Sequence, residues 1–154
     1  MKSSWGSLKV VVPLLLVLPV GYRAGRRDEP GQGYRGVTKH VISGDRGEPS
    51  SFEVRYFEIE PDGYTRLEKH RHVHSVTIIR GRGYAVVGAD IHPLATFDHI
   101  YVGPMTMHQF VNDAAEPLGF ICVVDAERDK PQPATDDEFA DLSRSRALAG
   151  KIHR

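Results

Sequence analysis

The segment Glu68-Lys69-His70-Arg71-His72-Val73-His74 places three of the chain's eight histidines within five residues. On a straight strand side chains alternate, so Glu68, His70, His72 and His74 would share one face and Lys69, Arg71 and Val73 the other. Imidazoles and carboxylates are ligands for divalent transition metals. Unliganded, such a cluster is unfavourable near the ordinary imidazole pKa of about 6.5, because rings that are protonated repel and buried rings resist charging. An ion held by neutral rings removes that conflict; the bland alternative is a solvated polar face. Geometry limits the donor set. Same-face neighbours about 7 Å apart can chelate one ion, but residues four apart lie about 13 Å apart at a strand rise of about 3.3 Å. A third ligand from this segment therefore needs a bend or a turn between strands.

The rest of the composition narrows what could surround this segment. With 154 residues the chain suits one compact domain. Cys122 is the single cysteine, which excludes an intrachain disulfide and a cysteine-built zinc site. The 20 basic residues balance the 20 acidic ones, so no nucleic-acid partner is expected. Residues 1–30 read as an apolar or flexible extension. Lys2 and Lys9 precede an apolar run from Val10 to Val20, and Arg23, Arg26 and Arg27 follow. That layout is signal-like, but it offers no small-x-small cleavage pattern and is interrupted by Pro13 and Pro19. It is shorter than the roughly 20 apolar residues of a bilayer span. A cytoplasmic location is expected, with export through this segment as the alternative.

From Val37 onward, short runs rich in Val, Ile, Tyr and Phe alternate with turn residues. Strands are expected at 37–43, 52–60, 64–70, 74–80, 84–87, 91–94, 98–102, 108–111 and 118–124, with Pro61-Asp62-Gly63 as a turn. This spacing predicts an all-β sandwich or barrel. Thr135-Asp136-Asp137-Glu138 fits a helical capping box, Phe139, Leu142 and Leu148 supply a sparse apolar stripe, and Gly150 suits the stop.

The histidine segment and a later motif resemble the cupin superfamily. Its first motif runs roughly Gly-x5-His-x-His-x3/4-Glu-x6-Gly, and its second roughly Gly-x5-Pro-x-Gly-x2-His-x3-Asn. In one frame, counting back from Gly81 puts His74 at the Glu place, His70 at the second His and Glu68 at the first, with Gly63 one residue closer than usual. In the other frame His70 and His72 form the His pair, and Val76 or Thr77 falls where the carboxylate should be. The first frame provides three donors; His72 shares their face and stays a candidate. In the second motif His108 and Asn112 match, whereas Phe97 and Met105 replace its two glycines and Gly103 its proline. The stretch 116–124 resembles the last barrel strand of small cupins.

The resemblance implies a cupin jelly-roll β-barrel over 31–134, with a short helix and tail over 135–154. It implies a divalent transition metal (Fe, Mn, Ni, Co, Cu or Zn) held by donors drawn from Glu68, His70, His72, His74 and His108. A small-molecule ligand or substrate follows, and a homodimer is an assembly it allows. The function it suggests is a metal-dependent, dioxygenase-like enzyme; the alternative is a non-catalytic binding or regulatory module. Tyr56, Tyr84, Tyr101, Met105, Met107 and Phe110 are candidate cavity residues, although core packing is the commoner role for such side chains. Gln109 should point away from His108, Asp98 reads as a turn residue, and Cys122 reads as a buried inert thiol. His40, His92, His99 and His153 are read as surface or structural.

Overall fold

The computed structural model describes residues 33–45 and 47–154, and the extension expected over 1–30 lies outside the described residues. The strands are β1 (Arg35–Ser43), β2 (Phe52–Tyr64), β3 (Glu68–Lys69), β4 (His74–Arg80), β5 (Arg82–Val87), β6 (Asp90–Ala95), β7 (His99–Val102), β8 (His108–Val111), β9 (Leu118–Asp125) and β10 (Gln132–Pro133); one helix, α1 (Asp136–Arg144), follows. They form one curled sheet in the order β10-β3-β8-β2-β9-β4-β7, with β1 added to β2 and the β5–β6 hairpin carried by β8. The pairings are antiparallel. This is the all-β jelly roll with a short C-terminal helix.

Alternation explains why the sheet curls round two cores. Ile59 of β2, Val76 and Ile78 of β4, Ala85 of β5, Phe110 of β8 and Leu118, Phe120, Cys122 and Val124 of β9 fill the interior. The opposite faces of β5 and β8 offer Tyr84, Val86 and Val111 to a second cluster completed by Leu67, Leu148 and Ile152. β5 is thus apolar on both faces because the C-terminal segment covers its outer side.

The capping box forms as read: Thr135 Oγ1 accepts from the Glu138 backbone N–H, and Glu138 accepts from the Thr135 N–H. The helix, however, ends with its cap at Ser145 rather than running to Gly150. On a continued helix Leu148 would sit about 120° away from Leu142 around the axis. Breaking at Ser145 lets a turn bring Leu148 into the second core, where it is fully buried. Two strand boundaries also shift. The expected turn at 61–63 is a bulge within β2, where Arg35 pairs with Tyr64 but Val37 pairs with Ile59. Of the expected strand 64–70, only Glu68–Lys69 pairs as β3, and Tyr64 closes β2. Among the described residues no helix is long and apolar enough to cross a membrane.

Candidate metal centre

β3 delivers Glu68, the chain bends at Arg71 and His72, and β4 begins at His74. The bend that strand geometry demanded is therefore present. Glu68 pairs in register with His108, bringing the distant second motif onto the first. Two groups of side chains result, each with donor atoms within 4.8 Å of one another: His70, His72 and His74, and Glu68, His70 and His108. His70 belongs to both. His72, whose place one reading of the motif left open, stands among the residues that could hold an ion, its ring stacked on His70 at 3.6 Å between centroids.

Each ring is held by its Nδ1. His70 Nδ1 donates to the His72 carbonyl at 2.7 Å, and His108 Nδ1 donates to the Thr106 carbonyl at 2.9 Å. A carbonyl only accepts, so in the neutral rings Nε2 carries the lone pair. His72 Nδ1 lies 2.8 Å from Asp129 Oδ1. The Asp129 carboxylate also accepts from the Arg71 and His72 backbone N–H groups, and these bonds hold it well below the usual carboxylate range. His74 Nδ1 lies 3.2 Å from Cys122 Sγ, while its Nε2 stands 2.8 Å from His70 Nε2. Such orientation of one ring nitrogen by an outer partner is the usual way a protein aims the other at a metal.

The Nε2–Nε2 contact admits two arrangements. Without an ion, Cys122 S–H donates to His74 Nδ1 and His74 Nε2–H donates to His70 Nε2. An ion held there would take the place of that proton, with His70 and His74 as neighbouring donors through their Nε2 atoms, which lie 2.8 Å apart. Electrostatics favour neutral rings. Burial, then the charges of His108, His70 and His72, lowers His74 to about 2. Burial likewise lowers His108 to about 4, and it lowers His70. Burial raises Glu68, so this carboxylate gains from a neighbouring cation. The donor set and its protonation are compatible with a bound metal.

The backbone independently fits the first frame of the motif. Its four glycine places in the two motifs fall at 62, 81, 97 and 105. Gly81 has φ 71, and the non-glycine residues with positive φ are Asp62 (60), Phe97 (77) and Met105 (55). The left-handed turns persist where the glycines do not. At Gly81 the glycine is obligatory, since a Cβ would lie 2.3 Å from the Pro117 carbonyl oxygen. The competing frame puts its last glycine at Gly83, where φ is not positive.

These observations agree with the comparisons. Residues 55–124 match the family model described as the cupin domain. A 1-methylthio-D-xylulose 5-phosphate methylsulfurylase from Rhodospirillum rubrum is 41% identical over 123 residues, covering 80% of this chain and 78% of that one. The chain belongs to the cupin superfamily. Among solved structures, this cupin resembles a cupin 2 conserved barrel domain protein from Rhodopseudomonas palustris (TM-score 0.79, 37% identity, 84% of this chain and 88% of that chain). It also resembles a cupin 2 domain-containing protein from Halorhodospira halophila (TM-score 0.73, 38% identity, 82% and 88%).

Other residues of this cupin sort by face. Gln109 points away from His108, donating to the Thr65 and His153 carbonyls and accepting from the His153 N–H. Tyr84 and Met107 pack under the C-terminal segment, and the Tyr84 hydroxyl donates to the Lys151 carbonyl. Tyr56 faces outward, its ring stacked with His40. Tyr101 and Met105 are exposed, whereas Phe110 lies in the interior. His99 contacts Thr77 on the surface, and His153 stacks on Tyr64. Asp129 carried no sequence signal as an orienting residue: it lies in the charged run Glu127-Arg128-Asp129-Lys130, which reads as a solvated loop. The Thr106 carbonyl is a backbone group, invisible to any reading of side-chain types.

Proposed function

We propose that this cupin is a metal-dependent enzyme whose substrate is a methylthio sugar phosphate of the kind named for its Rhodospirillum relative. The carrying observation is the convergence of four histidines, each with Nδ1 engaged, on one face shared with Glu68. His70, His74, His108 and Glu68 would hold the ion, with His72 as a further donor kept in place by Asp129. The bound ion would act as a Lewis acid on a substrate oxygen. The chain's own groups fix what surrounds that oxygen. Thr106 and the His72 carbonyl set ring orientation, and Val76, Ile100 and Val102 keep water from the inner wall. Cys122, pushed up to about 12 by burial, presents a neutral thiol to His74.

The experiment pairs elemental analysis with turnover. The full chain prepared without added metal is expected to contain a transition metal and to consume 1-methylthio-D-xylulose 5-phosphate; chelation is expected to abolish both. A chain devoid of metal after reconstitution, or one with metal and no consumption, overturns this reading. The dioxygenase reading rests on the donor set alone, and oxygen uptake measured with catechols, diketones, thiols and flavonols tests it. Metal binding without any turnover would leave a binding module. A homodimer belongs to the same reading, supported by the apolar outer face formed by Ile42, Tyr56, Ile79 and Ile121. Light scattering checks it.

A further inference from the structure

Glu53, Arg55, Phe57 and Ile59 share the inward face of β2, opposite Val124, Cys122, Phe120 and Leu118 of β9. The last two pairs belong to the apolar interior, whereas the first two bring an ion pair into it. Glu53 is 6% and Arg55 7% exposed. Arg55 Nε is bonded to Glu53 Oε1, and Arg128 Nη2 reaches Glu53 Oε2 at 2.9 Å. Two guanidiniums thus share one carboxylate. Lys39, paired with Phe57 of β2 and exposed at the edge of this group, adds a third cation; desolvation and then the Arg55 charge lower its pKa. Glu53 and Asp45 oppose Lys39, and Glu68 of the histidine cluster also faces the Arg55 charge.

The arrangement is incomplete. Arg55 Nη2 is buried and has no hydrogen-bond partner among the described residues. An unmade hydrogen bond from a buried charged group is costly, so Nη2 calls for an acceptor. Arg55 also neighbours the histidine cluster, and its charge is felt at His74 and Glu68. Arg55 and Cys122 are direct cross-strand partners, with Cβ atoms about 5 Å apart in such pairs, and Cys122 Sγ is 3.2 Å from His74 Nδ1. Arg128, about a quarter exposed, connects the group to solvent.

We propose that Arg55, backed by Arg128 and Lys39, is an anion subsite that receives the substrate's phosphate beside the histidine cluster. A planar guanidinium presents paired donors suited to phosphate oxygens, and an arriving dianion would satisfy Nη2. The identity of the phosphate's carrier rests on the reaction proposed above; the subsite itself does not.

The test is calorimetric titration of inorganic phosphate into the full chain and its variants, with folding checked by circular dichroism. Wild type is expected to bind. Arg55→Gln should weaken binding tenfold or more and Arg55→Lys by several-fold, with metal content unchanged. Glu53→Gln should tighten binding, because it frees both guanidiniums; a merely structural ion pair gives no such gain. Arg80→Gln, at an exposed residue paired with Glu58, serves as the control and should bind as wild type. No binding by wild type, or wild-type affinity in a folded Arg55→Lys chain, overturns the subsite. If phosphate binds through Arg55 but 1-methylthio-D-xylulose 5-phosphate is not consumed, the reaction falls and the subsite stands. If the sugar phosphate is consumed with KM unchanged in Arg55→Lys, the subsite falls and the reaction stands.

Discussion

Two buried polar clusters meet on β8, and they are built on opposite logic. Asn112, fully buried just past the strand, donates to the Ile59 and Glu116 carbonyls and accepts from the Ala114 N–H. Gln109 is similarly tied to the backbone of Thr65 and His153. Every amide bond there ends on the main chain, so these side chains fasten loops and the C-terminal segment to the barrel. In the histidine cluster one nitrogen of each ring is fixed by an outer partner, while the other is turned toward its neighbours. His108 and Gln109 are adjacent in sequence yet belong to different clusters, because the strand sends them to opposite faces. A satisfied polar network adds stability; one whose ring nitrogens face each other is also compatible with a bound ion.

The comparison breaks most sharply at the ligands. His70→Ala is expected to reduce bound metal to background, since His70 belongs to both donor groups, while the metal-free chain keeps most of its stability. Elemental analysis and thermal denaturation of the same preparation check both halves. Asn112→Ala should do the reverse. It strands two carbonyls and one N–H, costing at least about 3 kcal/mol in denaturant unfolding at about 1–3 kcal/mol per orphaned group. Metal bound per folded molecule should hold.

Acid sharpens the same contrast. His108 and His74 have folded pKa values near 4 and 2, below the unfolded value near 6.5, so between these limits the unfolded chain binds more protons. Stability of the metal-free chain should therefore be fully present above about pH 6.5 and fall as pH drops toward 4, by up to about 1.4 kcal/mol per pH unit per histidine. Denaturant titrations of wild type and His108→Asn at pH 7 and pH 5 test this, with a shallower fall expected for the variant. A flat wild-type profile would contradict neutral burial of the rings. The smallest effect belongs to neither cluster. Phe97 is 85% exposed at φ 77, so Phe97→Gly should relieve backbone strain and raise stability by about 1 kcal/mol, read as a higher Tm.

Legibility in the sequence followed the range of the forces involved. Strand periods, the capping box and Gly81 are local, and they were readable as such. The helix stop at Ser145 was not, because burying Leu148 outweighed the good helix formers after it. The bulge at 61–63 read as a turn, since left-handed residues serve both purposes and only pairing with β1 separates them. At the site, the five candidate donors were visible from residue type and spacing. Their outer partners were not: Asp129 lies 57 positions from His72 and the Thr106 partner is a main-chain oxygen.

By itself, then, the sequence determined the donor types, their alternation, the need for a bend or turn within the histidine segment and a barrel built from short strands. Those follow from covalent geometry and the two-residue period of a strand. The tertiary structure alone decided that Glu68 would meet His108, that His72 would stand with His70 and His74, and that Arg55 would lie in the same interior with an open N–H. These are relations between strands far apart in sequence, fixed by register across a curled sheet, and no local pattern encodes them.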